Sequence, residues 1–230
     1  MESGAGFGLV VGIEAKEAVA LSSVCGAALT STISVNAGVP LIVDPRWFTA
    51  GELGIAGDAS VSDLEGGYGG NVQHFAFYGV WTAEQRRFLD ISVLELWTVV
   101  FLVVLAGHFA GMSGKRLVMR SDNDPTVKAA NKKGSVKPTM AAAVRALDAA
   151  CEAYNIEVLL VHIPGKRNVI ADALSRGSID EALGLLRRLT AVEPVVCTIP
   201  TEWTEGPQMQ AFMRIAKRWR PAGVRHGRAT

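Results

Sequence analysis

The sequence is poor in cysteine and has no cluster of cysteines. Its three members, Cys25, Cys151 and Cys197, are odd in number and lie far apart without a CxxC motif. This excludes a disulfide framework and a zinc knuckle, and it indicates a reducing compartment. The start of the chain has no basic region, and Glu14 and Lys16 interrupt its apolar residues. A signal peptide is therefore not expected, and we predict an intracellular protein, cytoplasmic or nuclear.

The sequence also has almost no net charge, at +1 over 230 residues, but its charges are unevenly distributed. Residues 1–100 contain 11 acidic and 4 basic side chains, whereas residues 101–230 contain 11 acidic and 19 basic ones. Such a chain can gather carboxylates in one place and contact a polyanion with another. The alternative is that two solvated faces simply differ in charge.

One long segment lacks charge altogether. Leu96–Gly114 contains no Asp, Glu, Lys or Arg over 19 residues, and runs of about 18 apolar residues are candidates for membrane spans. Its strongly apolar part, Leu96–Ala106, covers only 11 residues, which favours a buried core helix. We predict that helix over Ile91–Met112, with Asp90 or Ser92 as its N-cap. A membrane-anchored protein remains the less favoured alternative.

Strand and helix patterns alternate through the middle of the chain. A strand over 53–60 and the segment over 66–81 together indicate a hairpin or meander. They are followed by the core helix, a strand over 115–122, a short helix, a helix that starts at Pro138 and stops at Asn155, a buried strand over 156–163 and a late helix. This order indicates an α/β domain with a mixed sheet. We predict three regions: an N-terminal extension over 1–50, the α/β domain over 51–190, and a basic C-terminal extension over 191–230.

Four acidic residues lie at the ends of these predicted elements: Asp58, Glu95, Asp122 and Asp172. Each alone is explained by helix capping or by the helix dipole. Glu95, however, lies beside a strongly apolar helix face, where a carboxylate must find a partner or stay protonated. If the four converge, their repulsion is relieved by a hard divalent cation with oxygen ligands.

Four segments resemble the ribonuclease H domain of retroelement reverse transcriptases, of the DIRS-like and pararetroviral type. They are GDAS (57–60), ISVLELWTVV (91–100), RSDN (120–123) and HIPGKRNVIADALSRG (162–177). The last is specific, whereas DAS or SDN alone is weak. The resemblance implies a ribonuclease H-like α/β fold: a mixed five-stranded sheet flanked by helices, with irregular N- and C-terminal extensions. It also implies hydrolysis of the RNA strand of an RNA–DNA hybrid.

The resemblance also implies roles for individual residues. Asp58, Glu95, Asp122 and Asp172 would be catalytic and would hold two Mg²⁺ or Mn²⁺ ions, which can drive in-line phosphodiester hydrolysis. His162 matches the placement of a mobile histidine that assists proton transfer or product release. A structural histidine that ends a buried strand is an equal alternative for His162.

Further residues are candidates for contacts with nucleic acid. They are two asparagines and three lysines: Asn123, Asn168, Lys128, Lys132 and Lys133. Asn168 alternatively caps the following helix. The basic stretch after Met209 is interpreted as a solvated tail, with a nucleic-acid-binding arm as the alternative.

Four glycines flank the second strand of the predicted hairpin: Gly66, Gly67, Gly69 and Gly70. We interpret them as a flexible hairpin. The alternative is close approach of the backbone to a nucleic-acid strand, which needs positions without side chains.

The leading hypothesis is therefore a ribonuclease H-type nuclease from a retroelement polyprotein, with an RNA–DNA hybrid as substrate and a polymerase domain as possible partner. Residues 1–50 would be the remnant of the connection to that polymerase, and we expect no membrane partner. The alternative from another class is a catalytically silent retroelement-derived module that binds nucleic acid.

Overall fold

The computed structural model of the chain describes residues 42, 44–49, 54–61 and 66–219. The strands in this part are β1 (Asp44–Phe48), β2 (Ala56–Ala59), β3 (Gly67–Val72), β4 (Phe75–Val80), β5 (Lys115–Ser121), β6 (Glu157–His162) and β7 (Val195–Val196). The α-helices are α1 (Ala83–Phe88), α2 (Ile91–Val104), α3 (Asp124–Asn131), α4 (Pro138–Tyr154), α5 (Val169–Ser175), α6 (Ile179–Thr190), α7 (Thr201–Thr204) and α8 (Pro207–Trp219). A π-helix over Leu105–Phe109 continues α2, and a 3₁₀ turn over Gly165–Arg167 precedes α5.

The strands form one mixed sheet. Strands β2, β3 and β4 make an antiparallel meander, in which Asp58 of β2 pairs with Gly69 of β3. Strand β5 runs parallel to β2 on its other side, and β6 runs parallel to β5 from Arg116 to Ser121. The order of these five strands in the sheet is thus β4–β3–β2–β5–β6. The predicted α/β class with a mixed sheet flanked by helices is confirmed.

Two short strands extend this sheet beyond the five that were expected. Strand β7 pairs with the outer edge of β4. Strand β1 pairs with β5, where Phe48 lies opposite Leu117, and β2 pairs with β5 further along, at Arg120. Because β6 occupies the other edge of β5, β1 and β2 share one edge in succession. The rest of the predicted N-terminal extension lies outside the described residues, apart from residue 42 and residue 49.

Helices pack on both faces of the meander. On one face, a Cβ placed at Gly57 would lie 2.8 Å from Leu102 of α2. On the other, a Cβ placed at Gly69 would lie 2.3 Å from the Cβ of Leu174 in α5. Successive side chains of a strand point to opposite faces, so β2 and β3 are covered on both sides. The sheet around Asp58 is therefore an interior layer.

Helix α2 is the centre of the hydrophobic core. Its N-cap is Asp90, one of the two predicted N-caps. The Asp90 side chain accepts a hydrogen bond from the Val93 N–H at 3.2 Å. Helical geometry ends at Phe109 rather than at the predicted Met112. In the π-helix, a Cβ at Gly107 would lie 2.4 Å from the Tyr154 ring, so the glycine lets α4 approach closely.

The uncharged segment considered as a membrane span is largely enclosed by the rest of the chain. Ile91–Phe109 meets the length and hydropathy criteria for a span, with a mean hydropathy of 2.0. However, 78% of its apolar window is buried inside the protein. This burial is the arrangement expected for the core helix of a fold.

The strand predicted over 156–163 is confirmed as β6, but the prediction that it is buried is wrong. Strand β6 borders β5 alone among the described strands, and its side chains are mostly exposed. Leu159 is 40% exposed and Val161 is 42% exposed, whereas Leu160 points into the core at 2%. The apolar composition of residues 156–163 suggests a strand that is covered on both faces. An edge strand with one covered face has the same composition, so the two cannot be distinguished from the sequence.

The expectation of an irregular C-terminal extension is also wrong for residues 195–219. Helices α7 and α8 place five side chains in the main core: Trp203, Met209, Phe212, Met213 and Ala216. The last four are spaced as one face of a helix, and Phe212 packs on Trp97 of α2 with ring centroids 5.2 Å apart. Residues 220–230 lie outside the described part.

This packing predicts that α8 supports the whole domain. Replacing Phe212 with Ala removes a side chain that is 3% exposed, and we expect a loss of about 3–5 kcal/mol in the free energy of unfolding. Chemical denaturation measures this loss. The matched control is Gln208→Ala on the exposed face of the same helix, which should change stability by less than about 0.5 kcal/mol. Equal stability of the two variants would show that α8 is not part of the core.

Candidate metal centre

Three acidic side chains that are far apart in the sequence meet at one point of the fold. Asp58 is in β2, Glu95 is in α2, and Asp122 directly follows β5. One ligand oxygen from each lies within 4.8 Å of the others. Asp58 and Glu95 are buried, at 5% and 4% exposure, while Asp122 is partly exposed. The cluster therefore has a closed side and an open side.

The topology explains why these three residues meet. Strands β2 and β5 are parallel neighbours, so their carboxyl ends lie at the same edge of the sheet. Asp58 and Asp122 are located at those ends. Helix α2 crosses β2, and the Ala59 N–H donates a hydrogen bond to the Glu95 carboxyl group. The helix thereby directs Glu95 toward the two aspartates.

Burial strongly disfavours negative charge in this cluster. It is the main cause that raises the pKa of Glu95 from 4.5 to about 9, with repulsion from Asp58 as the next cause. Burial likewise raises the pKa of Asp58 from 3.8 to about 6, although a hydrogen bond from Ser175 opposes this shift. The carboxyl groups of Asp58 and Glu95 also share a hydrogen bond. Without a cation, the site therefore favours the protonated form of Glu95 most strongly.

The residues present fit a hard divalent cation. Among the described residues, no Lys, Arg or His forms an ion pair with Asp58 or Glu95. The Oε2 atom of Glu95 is buried and has no hydrogen-bond partner within the described ranges. An unpaired buried oxygen is costly, and carboxylate oxygens are the preferred ligands of Mg²⁺ and Mn²⁺. A bound cation would satisfy this atom and the negative charge together.

Asp172 lies near this cluster but outside the group of three. It is in the first turn of α5, and its Oδ1 atom accepts a hydrogen bond from Arg176 at 2.7 Å. It is close enough that its negative charge raises the pKa of Asp58. Its role as a metal ligand stays a prediction.

The glycines of β3 let α5 approach the cluster. A Cβ at Gly67 would lie 2.4 Å from the carbonyl oxygen of Ser175, and Gly69 is equally crowded by α5. The glycines do belong to a hairpin, formed by β3 and β4, but the interpretation of that hairpin as flexible is wrong, because a helix packs directly on it. This contact brings Asp172 and Ser175 to the site.

The loop between β6 and α5 borders the cluster at Asp122. His162 places its Nε2 atom 3.1 Å from the backbone oxygen of Asp122. A Cβ at Gly165 would lie 2.9 Å from Asp122 Oδ2, so the backbone of the loop lies close to that carboxylate. The next two residues, Lys166 and Arg167, are exposed. His162 is thus adjacent to the site, and its part in proton transfer stays a prediction.

The two predicted asparagines have structural contacts. Asn123 is the N-cap of α3, and its Oδ1 atom accepts from the Thr126 N–H at 3.0 Å. Asn168 is 2% exposed and donates from Nδ2 to the backbone oxygen of Gly57 at 3.2 Å, next to Asp58. Asn168 occupies the N-cap position of α5, but its side chain makes no capping bond. Contacts of either residue with nucleic acid stay predictions.

The three predicted lysines follow Asp122 along α3. Lys128 forms an ion pair with Asp124 in the first turn of the helix. Lys132 and Lys133 are exposed beyond its last residue, about 12 Å along the axis from its start. Lys166 and Arg167, which the sequence reasoning did not single out, instead directly follow Gly165, the residue that lies against the Asp122 carboxylate. Lys166 and Arg167 lie within residues 162–177, the segment that carries the resemblance, and this position was the sequence signal that could have identified them.

Comparisons with known proteins give few matches. No family model matches the sequence, and no curated protein matches it. Among solved structures, the chain is similar to ribonuclease H1 from the halophilic archaeon Halobacterium salinarum, with 12% identity and a TM-score of 0.45 over 60% of this chain and 100% of that one. It is also similar to the N-terminal ribonuclease H domain of a Mycobacterium tuberculosis protein, solved as a fusion with maltose-binding protein. That match has 16% identity and a TM-score of 0.36 over 57% of this chain and 96% of that one.

The raised pKa values predict how pH changes the stability of the metal-free protein. Folding favours the protonated form of Glu95, so its stabilising contribution is complete below about pH 4.5 and is lost as the pH rises toward about 9. We therefore expect the melting temperature to fall over this range in the presence of a chelator. Glu95→Gln should flatten the decrease, because the amide does not ionise.

Divalent cations should reverse this loss. Mg²⁺ or Mn²⁺ competes with protons for the same oxygens, so we expect a larger rise in melting temperature at about pH 8 than at about pH 5. Glu157→Gln, at an exposed ion pair with Arg116, is the matched control and should leave the pH profile unchanged. A wild-type melting temperature that is independent of both pH and cations would contradict the proposed site.

Proposed function

We propose that this chain is a metal-dependent endonuclease that hydrolyses the RNA strand of RNA–DNA hybrids, as the ribonuclease H domain of a retroelement reverse transcriptase. The observation that carries the proposal is the meeting of Asp58, Glu95 and Asp122 within 4.8 Å. Asp58 and Glu95 are buried, and in the described part of the chain neither forms an ion pair with a basic side chain. Such a set of carboxylates is suited to bind hard divalent cations. On a nucleic acid, these ions promote hydrolysis of the phosphodiester bond.

The motif that carries the resemblance folds around the same cluster. Along residues 162–177, His162 contacts the Asp122 backbone, Gly165 lies against the Asp122 carboxylate, Asn168 holds β2 beside Asp58, and Ser175 donates to Asp58. Side chains spread over 14 positions thus meet at one site. A chance similarity in composition would not bring these residues to one site. Their convergence therefore supports the proposed relationship to ribonuclease H domains.

In the proposed reaction, Asp58, Glu95, Asp122 and Asp172 hold two Mg²⁺ or Mn²⁺ ions. When bound, such ions activate a water molecule and stabilise the leaving oxygen of the phosphodiester. Asp122 and Asp172 lie on the accessible side of the cluster, where a strand can approach. His162 is placed beside Asp122 for proton transfer or product release. Recognition of the hybrid would come from its shape and the 2′-hydroxyl groups rather than from its sequence.

The proposal predicts cleavage of a labelled RNA–DNA hybrid in the presence of Mg²⁺, and no cleavage of duplex DNA. Asp122→Asn should lower the rate at least about 100-fold, because it removes a charged ligand from the site. The matched control is Asp124→Asn, two residues further along, where the carboxylate is exposed and paired with Lys128. We expect this control to retain activity. A folded wild-type chain that binds cations and hybrid but never cleaves would instead be the catalytically silent module.

The exposed loop cations predict how the substrate is held. Lys166 and Arg167 follow the glycine that touches Asp122, and no ion pair is formed by either among the described residues. We expect Lys166→Ala with Arg167→Ala to raise KM for the hybrid more than it lowers kcat. The slope of log affinity against log salt should become shallower by about 2, because two phosphate contacts are lost.

Arg188→Ala is the charge control for this pair. Arg188 is exposed on α6, outside the loop that borders the carboxylates, so its removal should leave the salt slope within about 0.5 of the wild-type value. Equal slopes for the double variant and the wild type would show that the loop does not contact phosphate.

A further inference from the structure

Ser175 occupies a buried position between two segments that carry acidic residues. It is the last residue of α5 and is 4% exposed. Its hydroxyl group donates a hydrogen bond to Oδ2 of Asp58 in β2, 117 positions earlier in the chain. The same oxygen lies 3.0 Å from the backbone oxygen of Asp172. Ser175 therefore links the Asp58 carboxylate to the helix that presents Asp172.

The position of this hydroxyl group is itself fixed by the surrounding backbone. The Ser60 hydroxyl donates to the carbonyl oxygen of Ser175 at 2.7 Å and accepts from the Gly67 N–H at 3.2 Å. Any side chain at Gly67 would collide with that same carbonyl group. Strands β2 and β3 thus hold the end of α5 in one place, and with it the donor to Asp58.

We propose that Ser175 is a positioning residue that orients the Asp58 carboxylate for cation binding, an inference that rests on the cation site of the proposed function. A carboxylate on a strand can rotate about its side-chain bonds, and a fixed donor selects one orientation. Residues that hydrogen-bond to metal ligands orient them in this way, and their loss weakens metal binding about 10–100-fold.

A hydroxyl group suits this position better than a basic side chain. A lysine or arginine would neutralise Asp58 and compete with the cation, whereas the serine donates one hydrogen bond and carries no charge. Arg176, the next residue, pairs instead with the exposed Asp172. Adjacent positions of α5 therefore supply a neutral donor to the buried acid and a charged partner to the exposed one.

The test is the affinity of the full chain for Mn²⁺, measured by isothermal titration calorimetry. Ser175→Ala removes the donor while keeping a small side chain, and we expect its affinity to fall about 10–100-fold. Ser175→Cys, which keeps a weak donor, should lie between the alanine variant and the wild type. If the alanine variant fails to fold, the cysteine variant provides the same comparison.

Two matched serine variants separate positioning from packing. Ser60→Ala loses the bond that docks α5 but leaves the donor to Asp58, so we expect a lower melting temperature and an affinity within about threefold of wild type. Ser178→Ala changes an exposed serine that makes no capping bond, and both readouts should stay at the wild-type value.

The outcomes distinguish this inference from the proposed function. A folded wild-type chain that does not bind Mn²⁺ would overturn both. Wild-type binding with an unchanged affinity in Ser175→Ala would overturn the positioning role alone. An equal loss of affinity in Ser60→Ala and Ser175→Ala would also overturn it, because packing of α5 would then explain the effect.

Discussion

The burial of two carboxyl groups that form no ion pair with any described basic side chain is the constraint on which the rest of the site depends. Asp58 and Glu95 are almost inaccessible to water, and their pKa values are raised because burial penalises the charged forms. A group of this kind is destabilising unless protons or a cation compensate it. The fold nevertheless brings the two acids together and adds Asp122. This arrangement has a physical reason if the cluster binds divalent cations.

Several features of the fold bring the acidic residues together at this site. The parallel pairing of β2 and β5 brings two strand ends together, and the apolar helix α2 directs Glu95 toward them. Glycines in β3 allow α5 to lie directly on the sheet, which places Asp172 and Ser175 at the same site. The loop at Gly165 touches the Asp122 carboxylate. The closed side of the cluster is thus built by the core, and its open side by a loop with exposed cations.

Local signals in the sequence predicted the elements well where backbone chemistry decides the structure. Pro138 marks the start of α4, and Asn155 ends it in the left-handed conformation that asparagine tolerates. The exposure of Leu159 and Val161 was not predicted, because an apolar run does not show whether one or both faces are covered. In α8, apolar residues recur with helical spacing, but the basic residues of the same stretch favour its interpretation as a solvated tail. The meeting of the acids is a long-range property that spacing does not contain, so it came from resemblance alone.

The most direct test of the central claim is the position of a bound cation. A crystal grown with Mn²⁺ and measured for anomalous scattering would locate the ion without relying on activity. A peak coordinated by oxygens of Asp58, Glu95 and Asp122, at distances of about 2.0–2.2 Å, is the predicted result. Fully occupied Mn²⁺ bound elsewhere on the chain, with these three carboxylates free of metal, would contradict it.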